Sequence, residues 1–284
     1  MPNMTFRVTS APLISVIIPT FNEARALDAT LVMLAALPDL MEVIIVDGGS
    51  LDATTAIARA HGVRLLFADR GRGIQLHAGA QVARGDILWF VHADVHPPTD
   101  AARLIREALA RPTVSGGCFT VRFDNDSRQA RFLTWFYARL QGLGLCYGDA
   151  TLFIRRCDYE QCRGFRPFPL FEDLDLVDRL RQRGRFVRLP AEVTVSCRRF
   201  DGRSLLLTLL WWMVLQLLYW LGVPPRYLGR LYAPIRARPR RTKRLTTCPE
   251  NESSLPGIAA TSCRSVLTNK HRHDSEPTRA ISRQ

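Results

Sequence analysis

Three apolar runs, each breaking off abruptly into polar residues, constrain this chain more than any other feature. Ile14-Ser15-Val16-Ile17-Ile18 stops at Pro19 and delivers Thr20, Phe21, Asn22 and Glu23. Val43-Ile44-Ile45-Val46 ends in Asp47-Gly48-Gly49-Ser50, and Ile87-Leu88-Trp89-Phe90-Val91 ends in His92-Ala93-Asp94. Runs of this length, rich in β-branched residues and apolar on both faces, read as strands of a sheet covered by helices on each side. Between them lie segments with helical spacing, over 24–36, 53–61 and 74–83. Strand and helix in alternation predict an α/β fold with a mostly parallel sheet and helices on both faces. Such sheets bind ligands at the carboxyl ends of their strands, where these polar residues fall.

Further along, the spacing predicts a helix over 100–109, a strand over 117–123, a helix over 128–142 and a short strand over 151–154. Glu172 to Arg183 places Leu174, Val177 and Leu180 on one stripe, with Gly184 as the stop. Leu205 to Gly222 is an uncharged stretch of eighteen residues. As a helix it would be about 27 Å long, marginally short of a hydrocarbon core of about 30 Å. Three readings compete for it: a helix lying in the membrane interface, a short spanning helix, and a buried or dimer-forming helix. Its aromatics and flanking arginines favour the interface. The expected organisation is an N-terminal extension (1–12), a catalytic domain (13–200), an apolar membrane-associated helical segment (201–234) and a basic disordered tail (235–284).

Charge follows that division. The net charge is +13, but residues 236–284 carry 11 Lys/Arg against 4 Asp/Glu, a net +7, so the tail supplies about half of it. The basic residues follow an apolar segment rather than alternating with stacking aromatics, which argues for anionic lipid headgroups over nucleic acid. Seven cysteines without a CxxC pair or Cys/His ligand spacing suggest a reducing compartment and no structural zinc. Residues 1–12 lack the apolar core of a secretory signal. The expected location is the cytoplasmic face of the cell membrane or the cytoplasm.

The strand ends carry the candidate chemistry. Asp47 before Gly48-Gly49 suits the N–H of a base or a ribose hydroxyl, although an Asp there also closes turns unaided. Asp94 leaves an apolar strand flanked by His92 and His96 on the same side of an extended chain, an arrangement suited to a hard divalent cation bridging phosphates. Glu172-Asp173 opens a helix, where the dipole favours a carboxylate as its anion, the form a general base needs.

Together these segments resemble the family 2 glycosyltransferases, whose fold is the nucleotide-binding α/β domain called GT-A. The resemblance rests on residues 16–23, 46–54, Gly71-Arg72-Gly73 with His77-Ala78-Gly79-Ala80, Ala83-Arg84-Gly85-Asp86, and Glu172-Asp173. It implies a sugar transferred with inversion from a nucleoside diphosphate, a uridine one by preference, to a hydroxyl acceptor that is small or amphiphilic. Carried onto this sequence, it implies that Pro19, Thr20, Asn22 and Glu23 line the nucleotide pocket, that Asp47 with Gly48 reads the base, and that Arg72 meets the base or diphosphate. Asp94, with His96 beside it, would hold Mn2+ or Mg2+, and Asp173, next to Glu172, would be the catalytic base. The family usually writes Asp-Ala-Asp where this chain has His92-Ala93-Asp94, so His92 is reassigned to ribose or phosphate. Tyr147-Gly148-Asp149-Ala150, the segment 169–176 and Ser196-Cys197-Arg198-Arg199 are similar to a bacterial subgroup labelled arsenosugar-type, making Asp149 and Arg199 candidates for donor or acceptor contacts. Two rivals are a nucleotidyltransferase of similar fold, which would need a basic glycine-rich loop after the first strand, and a membrane-tethered binding module without catalysis.

Overall fold

The computed structural model describes residues 11–38, 42–197 and 204–236, with side chains to residue 232. Four short parallel strands form one half of the sheet: β1 (Ile14–Thr20), β2 (Glu42–Asp47), β3 (Arg64–Phe67) and β4 (Ile87–Phe90). They are joined by α1 (Ala24–Ala35), α2 (Thr54–Ala60) and α3 (Arg72–Val82). The strand order β3-β2-β1-β4 follows from right-handed crossovers running outward from β1 before the chain returns to its other side. That reversal opens a crevice between the carboxyl ends of β1 and β4, the switch point at which such sheets take ligands. In-register pairing brings Thr20 opposite Asp47 and Ile17 opposite Phe90, so the polar tips emerge side by side.

The second half departs from the mostly parallel sheet expected. After β5 (Val95–His96) and α4 (Ala101–Leu109) come β6 (Val114–Phe123), α5 (Arg128–Gly142), β7 (Leu152–Arg155), α6 (Arg156–Gln161), α7 (Glu172–Arg181) and β8 (Arg185–Val195). The eight strands run β3-β2-β1-β4-β7-β6-β8-β5, with β7 antiparallel to both β4 and β6, β8 parallel to β6, and β5 antiparallel to β8. The sheet is therefore mixed. β8 escapes periodicity because its residues alternate only weakly in burial and Pro190 interrupts it, at a point where the β6 register also shifts.

The core is built on both faces of the central strands, with Ile17, Ile44, Leu88, Trp89, Phe119 and Phe153 almost wholly enclosed. α3 packs directly on β1 and β2 at Gly79, where an added Cβ would come within 2.5 Å of Ile17 Cγ2 and 2.9 Å of Val46 Cγ2. Gly79→Leu is expected to destabilise the fold by about 2–3 kcal/mol or more, because overpacking forces the helix off the sheet; chemical denaturation checks it. A loss below half that range would mean the helix moves away freely.

Two further helices, α8 (Leu205–Trp220) and α9 (Pro225–Arg236), complete the described chain. At 16 residues α8 is about 24 Å long. No described helix is long and apolar enough to cross a membrane, which removes the spanning reading of 205–222. α8 packs one side against the start of α7: Leu215, from α8, and Leu228, from α9, join Leu170, Phe171 and Leu174 in a small second core. α9 extends to Arg236, past the expected start of the tail. Residues 1–10, the arginines 198, 199 and 203, and the tail beyond 236 lie outside the described residues, so the Arg199 assignment does too.

Candidate functional site

The tips of β1 and β2 are locked to each other before any ligand is considered. Asp47 is fully buried, and its oxygens accept hydrogen bonds from Thr20 Oγ1 (3.0 Å), Gly49 N (2.9 Å), Ser50 N (2.7 Å) and Ser50 Oγ (2.5 Å). A carboxylate so engaged closes the turn after β2. Asn22, in the left-handed region at φ 57°, ties the same loops: its N–H donates to Ser50 Oγ (2.8 Å) and its Oδ1 accepts from Leu51 N (2.8 Å). Glu23 N donates to Thr54 Oγ1 at 2.8 Å. Pro19 sits within β1 opposite Val46 and is half-buried; Gly48 N donates to Thr20 O.

Sequence reasoning missed Gln75. From α3 its amide donates to the carbonyls of Thr20 (2.8 Å) and Val46 (2.7 Å), clamping both strand ends. It missed Arg70 as well, whose exposed guanidinium stacks 3.7 Å over the Phe21 ring at the tip of β1. Neither residue carries a sequence signal, since each acts through a partner brought close only by the crossover.

Beyond β4 burial alternates, with His92, Asp94 and His96 half-buried and Ala93, Val95 and Pro97 buried. The three polar residues thus share the more open side, as expected from the spacing. They do not share partners. His92 Nδ1 meets Asp149 Oδ1 at 3.2 Å, and His96 pairs with Thr194 on β8. Asp94 has no hydrogen-bond or ion-pair partner among the described residues. No three His, Cys, Asp or Glu side chains of the described residues converge in a metal cage.

The densest charge lies where four elements meet. Arg72, at the start of α3, pairs through Nε with Glu172 Oε1 at 2.9 Å, and Glu172 is only 2 % exposed. Asp173, beside it in the first turn of α7, accepts from Gly148 N (2.7 Å) and from Leu174 N (2.8 Å). Asp149, buried on the short helical turn before β7, takes His92 and lies 3.5 Å from the Tyr137 hydroxyl. Gly148 permits this approach: a Cβ there would stand 2.9 Å from His92 Nε2. Phe171 turns the chain into α7 at φ 63° and seats its ring 4.9 Å from that of Tyr219 on α8, fixing the acidic turn against the apolar helix.

Burial first, then the neighbouring Glu172, push the Asp173 carboxyl from its ordinary 3.8 to about 6, while Arg72 and the two N–H donors hold it back. The same carboxylates, Glu172 foremost, raise the Arg72 guanidinium further above its usual range. The outcome is a carboxylate more basic than usual and ionised at neutral pH.

Arg72, Asp149, Glu172 and Asp173 form one end of a cavity of about 590 Å3 whose remaining wall comes from α5, α8, the loop 143–147, Leu170 and Phe171 before α7, and Tyr232 of α9. Of the three candidate acids Asp47, Asp94 and Asp173, only Asp173 is among the residues that line this cavity. Asp94 stands two residues beyond His92, which reaches the same cluster through Asp149.

Known proteins share this arrangement of elements. A mannosyltransferase of Pyrobaculum calidifontis, solved with GDP-Man and Mn2+, superposes with a TM-score of 0.55 at 21% identity, covering 66% of this chain and 57% of that one. Glucosyl-3-phosphoglycerate synthase of Mycobacterium tuberculosis, solved with Mn2+, UDP and glucosyl-3-phosphoglycerate, gives 0.54 at 22% identity, covering 75% and 81%. In sequence, an undecaprenyl-phosphate 4-deoxy-4-formamido-L-arabinose transferase of Aeromonas hydrophila is 33% identical over 121 residues, 38% of this chain and 37% of the relative. A validoxylamine A glucosyltransferase of Streptomyces hygroscopicus subsp. jinggangensis is 34% identical over 134 residues, 42% and 31%. The matches span about a third of the length of these curated relatives. Residues 15–161, just over half of the chain, match the description Glycosyl transferase family 2. With a fold of the same type around a buried acidic cleft, the chain belongs to glycosyl transferase family 2.

Proposed function

We propose that this chain transfers a sugar from a nucleoside diphosphate, a uridine one by preference, to a hydroxyl acceptor in a single inverting displacement with Asp173 as general base. The observation that carries this reading is the position of Asp173: its carboxylate lines the cavity, is fixed by two N–H donors, and has a proton affinity raised to about 6. A base near the working pH takes a proton from a hydroxyl more effectively than an ordinary carboxylate does. Glu172, paired to Arg72, keeps that affinity raised, and Arg72 sets its upper limit.

The donor would enter at the crevice between the β1 and β4 ends, past Thr20, Asn22 and Glu23, with Arg72 and His92 on the way to the acidic cluster. GDP-Man and UDP-Glc appear with two of the fold's relatives, which supports a nucleotide sugar without choosing the base. The resemblance of Tyr147-Gly148-Asp149-Ala150 and the segment 169–176 to the arsenosugar-type subgroup leaves the acceptor open.

A divalent cation that arrives with a diphosphate needs one or two carboxylates, the rest of its shell being phosphate and water. Asp94, half-buried and without another partner among the described residues, fits that part, with His96 alongside. Bound there, Mn2+ or Mg2+ would neutralise charge growing on the departing diphosphate. Chelation with EDTA is expected to abolish transfer and Mn2+ to restore it. Asp94→Asn should raise the Mn2+ concentration for half-activity by at least the about 10–100-fold that lost metal-site partners cost; an unchanged Mn2+ requirement would remove Asp94 from the site.

The decisive assay is release of UDP from UDP-glucose, against GDP from GDP-mannose, by the full chain with Mn2+. Release from neither, together with tight nucleotide binding, would favour the binding-module reading. Release from the guanosine donor alone would correct the base.

A further inference from the structure

The cavity beside Asp173 has two unlike ends. One holds Arg72, Asp149, Glu172 and Asp173; the rest is mostly apolar, with Phe136 and Leu140 of α5 and Leu210, Met213, Leu217 and Trp220 of α8 beside the polar groups of Tyr137, Tyr147, Gln216 and Tyr232. At about 590 Å3 it falls within the 300–1,000 Å3 usual for small-molecule sites. A sugar or other polyol filling it would leave hydroxyls against Leu and Trp side chains, at a cost of about 1–3 kcal/mol for each unpaired group.

The apolar end does not close. Leu206, Leu210, Met213, Val214, Leu217 and Trp220 follow one another at helical spacing along α8 and are 45–66% exposed. All of them except Leu206 also line the cavity, so cavity wall and outer apolar strip are one continuous surface. Leu143, just beyond α5, is 80% exposed and also lines the cavity. An apolar surface of this kind that joins a binding pocket marks where the ligand comes from.

Charge selects the headgroup. The described lining carries three carboxylates against the single guanidinium of Arg72, which is already paired with Glu172. A phosphate or carboxylate headgroup would be repelled there, whereas a neutral hydroxyl finds acceptors in Asp173 and Asp149. We infer that the acceptor is a neutral, hydroxyl-bearing amphiphile drawn from the lipid phase, its hydroxyl at Asp173 and its apolar chain along α8. This inference rests on the sugar-transfer reading for the role of Asp173, but its geometry is testable through binding alone. α8 lies along the lipid surface rather than across it, consistent with its short length.

Trp212 and Trp220 line the cavity, so their fluorescence reports occupancy. Butyl, octyl and dodecyl glucosides, each below its micellar concentration, should bind with affinity rising steeply with chain length, up to about fourfold per methylene. Dodecyl phosphate should bind more weakly than dodecyl glucoside. Leu217→Arg, at an exposed position of the strip, should weaken dodecyl glucoside binding at least about tenfold. Equal affinity for butyl and dodecyl chains, preference for dodecyl phosphate, or insensitivity to Leu217→Arg would each overturn the inference. A dimer that persists in light scattering at saturating dodecyl glucoside would assign the strip to a second copy of the chain and overturn it too. Loss of donor hydrolysis in the wild type, with chain-length-dependent binding intact, would instead overturn the sugar-transfer reading and spare the amphiphile site.

Discussion

Asp173→Asn is expected to lower kcat by about 10²–10⁴-fold, the range supplied by a positioned general base, while making the folded protein more stable at neutral pH. Both effects come from one fact, the rise of the carboxyl from 3.8 to about 6 on burial beside Glu172. Ionised, it can take the acceptor proton; buried, it resists ionisation. Because the folded-state value lies above the unfolded one, its stabilising contribution is complete below 3.8 and is lost as pH rises through about 6. A rise of roughly two units corresponds to about 3 kcal/mol. Asn escapes that cost but has one oxygen for the two N–H donors of Gly148 and Leu174, which returns about 1–2 kcal/mol. The net gain, about 1–2 kcal/mol above neutrality, should vanish in acid, where Asp173 is neutral in both states. Urea denaturation across pH measures this, and the pH–rate profile of the wild type should rise through about 6. A profile flat through that region, or a variant of undiminished kcat, would take the base away from Asp173.

Arg72→Met is expected to carry a large stability cost. Glu172 is 2 % exposed and meets the Arg72 Nε at 2.9 Å, so removing the guanidinium strands a buried carboxylate. Breaking a buried pair from one side costs about 3–5 kcal/mol, and the partial exposure of Arg72 points to the lower end, about 3 kcal/mol. Adding Glu172→Met should recover much of the loss, since an apolar pair leaves no stranded charge. Arg72→Lys keeps the charge without the planar fork, so it should fold and serve the kinetic test. Any weakening of the guanidinium's pull on Asp173 moves the acid limb of its pH–rate profile upward, because Arg72 holds that group down. A stability loss below about 1 kcal/mol in Arg72→Met would show that the pair is hydrated rather than buried.

Much of the first half of the fold was legible in the chain. The expected helix over 128–142 matches α5 from Arg128 to Gly142, and α1, α2 and α3 begin and end within two residues of their expected limits. Apolar runs and helical stripes are local patterns, and local patterns survive in one dimension. β3, β5 and β8 went unseen for the opposite reason: β5 has two residues, β3 four, and β8 owes its pairing to β6 rather than to its own alternation. Nor does any local pattern say that β7 inserts antiparallel between β4 and β6.

By itself the sequence determined which residues end strands in polar chemistry, which acids open α7, and that one uncharged helix follows the sheet, because each is written within a few neighbouring positions. Only the tertiary structure decided what those residues face. Asp47 spends its oxygens on its own turn and on Thr20, His92 turns to Asp149, and Arg72 seeks out Glu172 one hundred residues away. Hydrogen bonds and ion pairs depend on distance in space, which the crossovers and strand order set and which residue spacing along the chain does not encode. The joining of Asp173 to an apolar wall from α8 is of the same kind, a product of α7 and α8 packing through Phe171 and Tyr219.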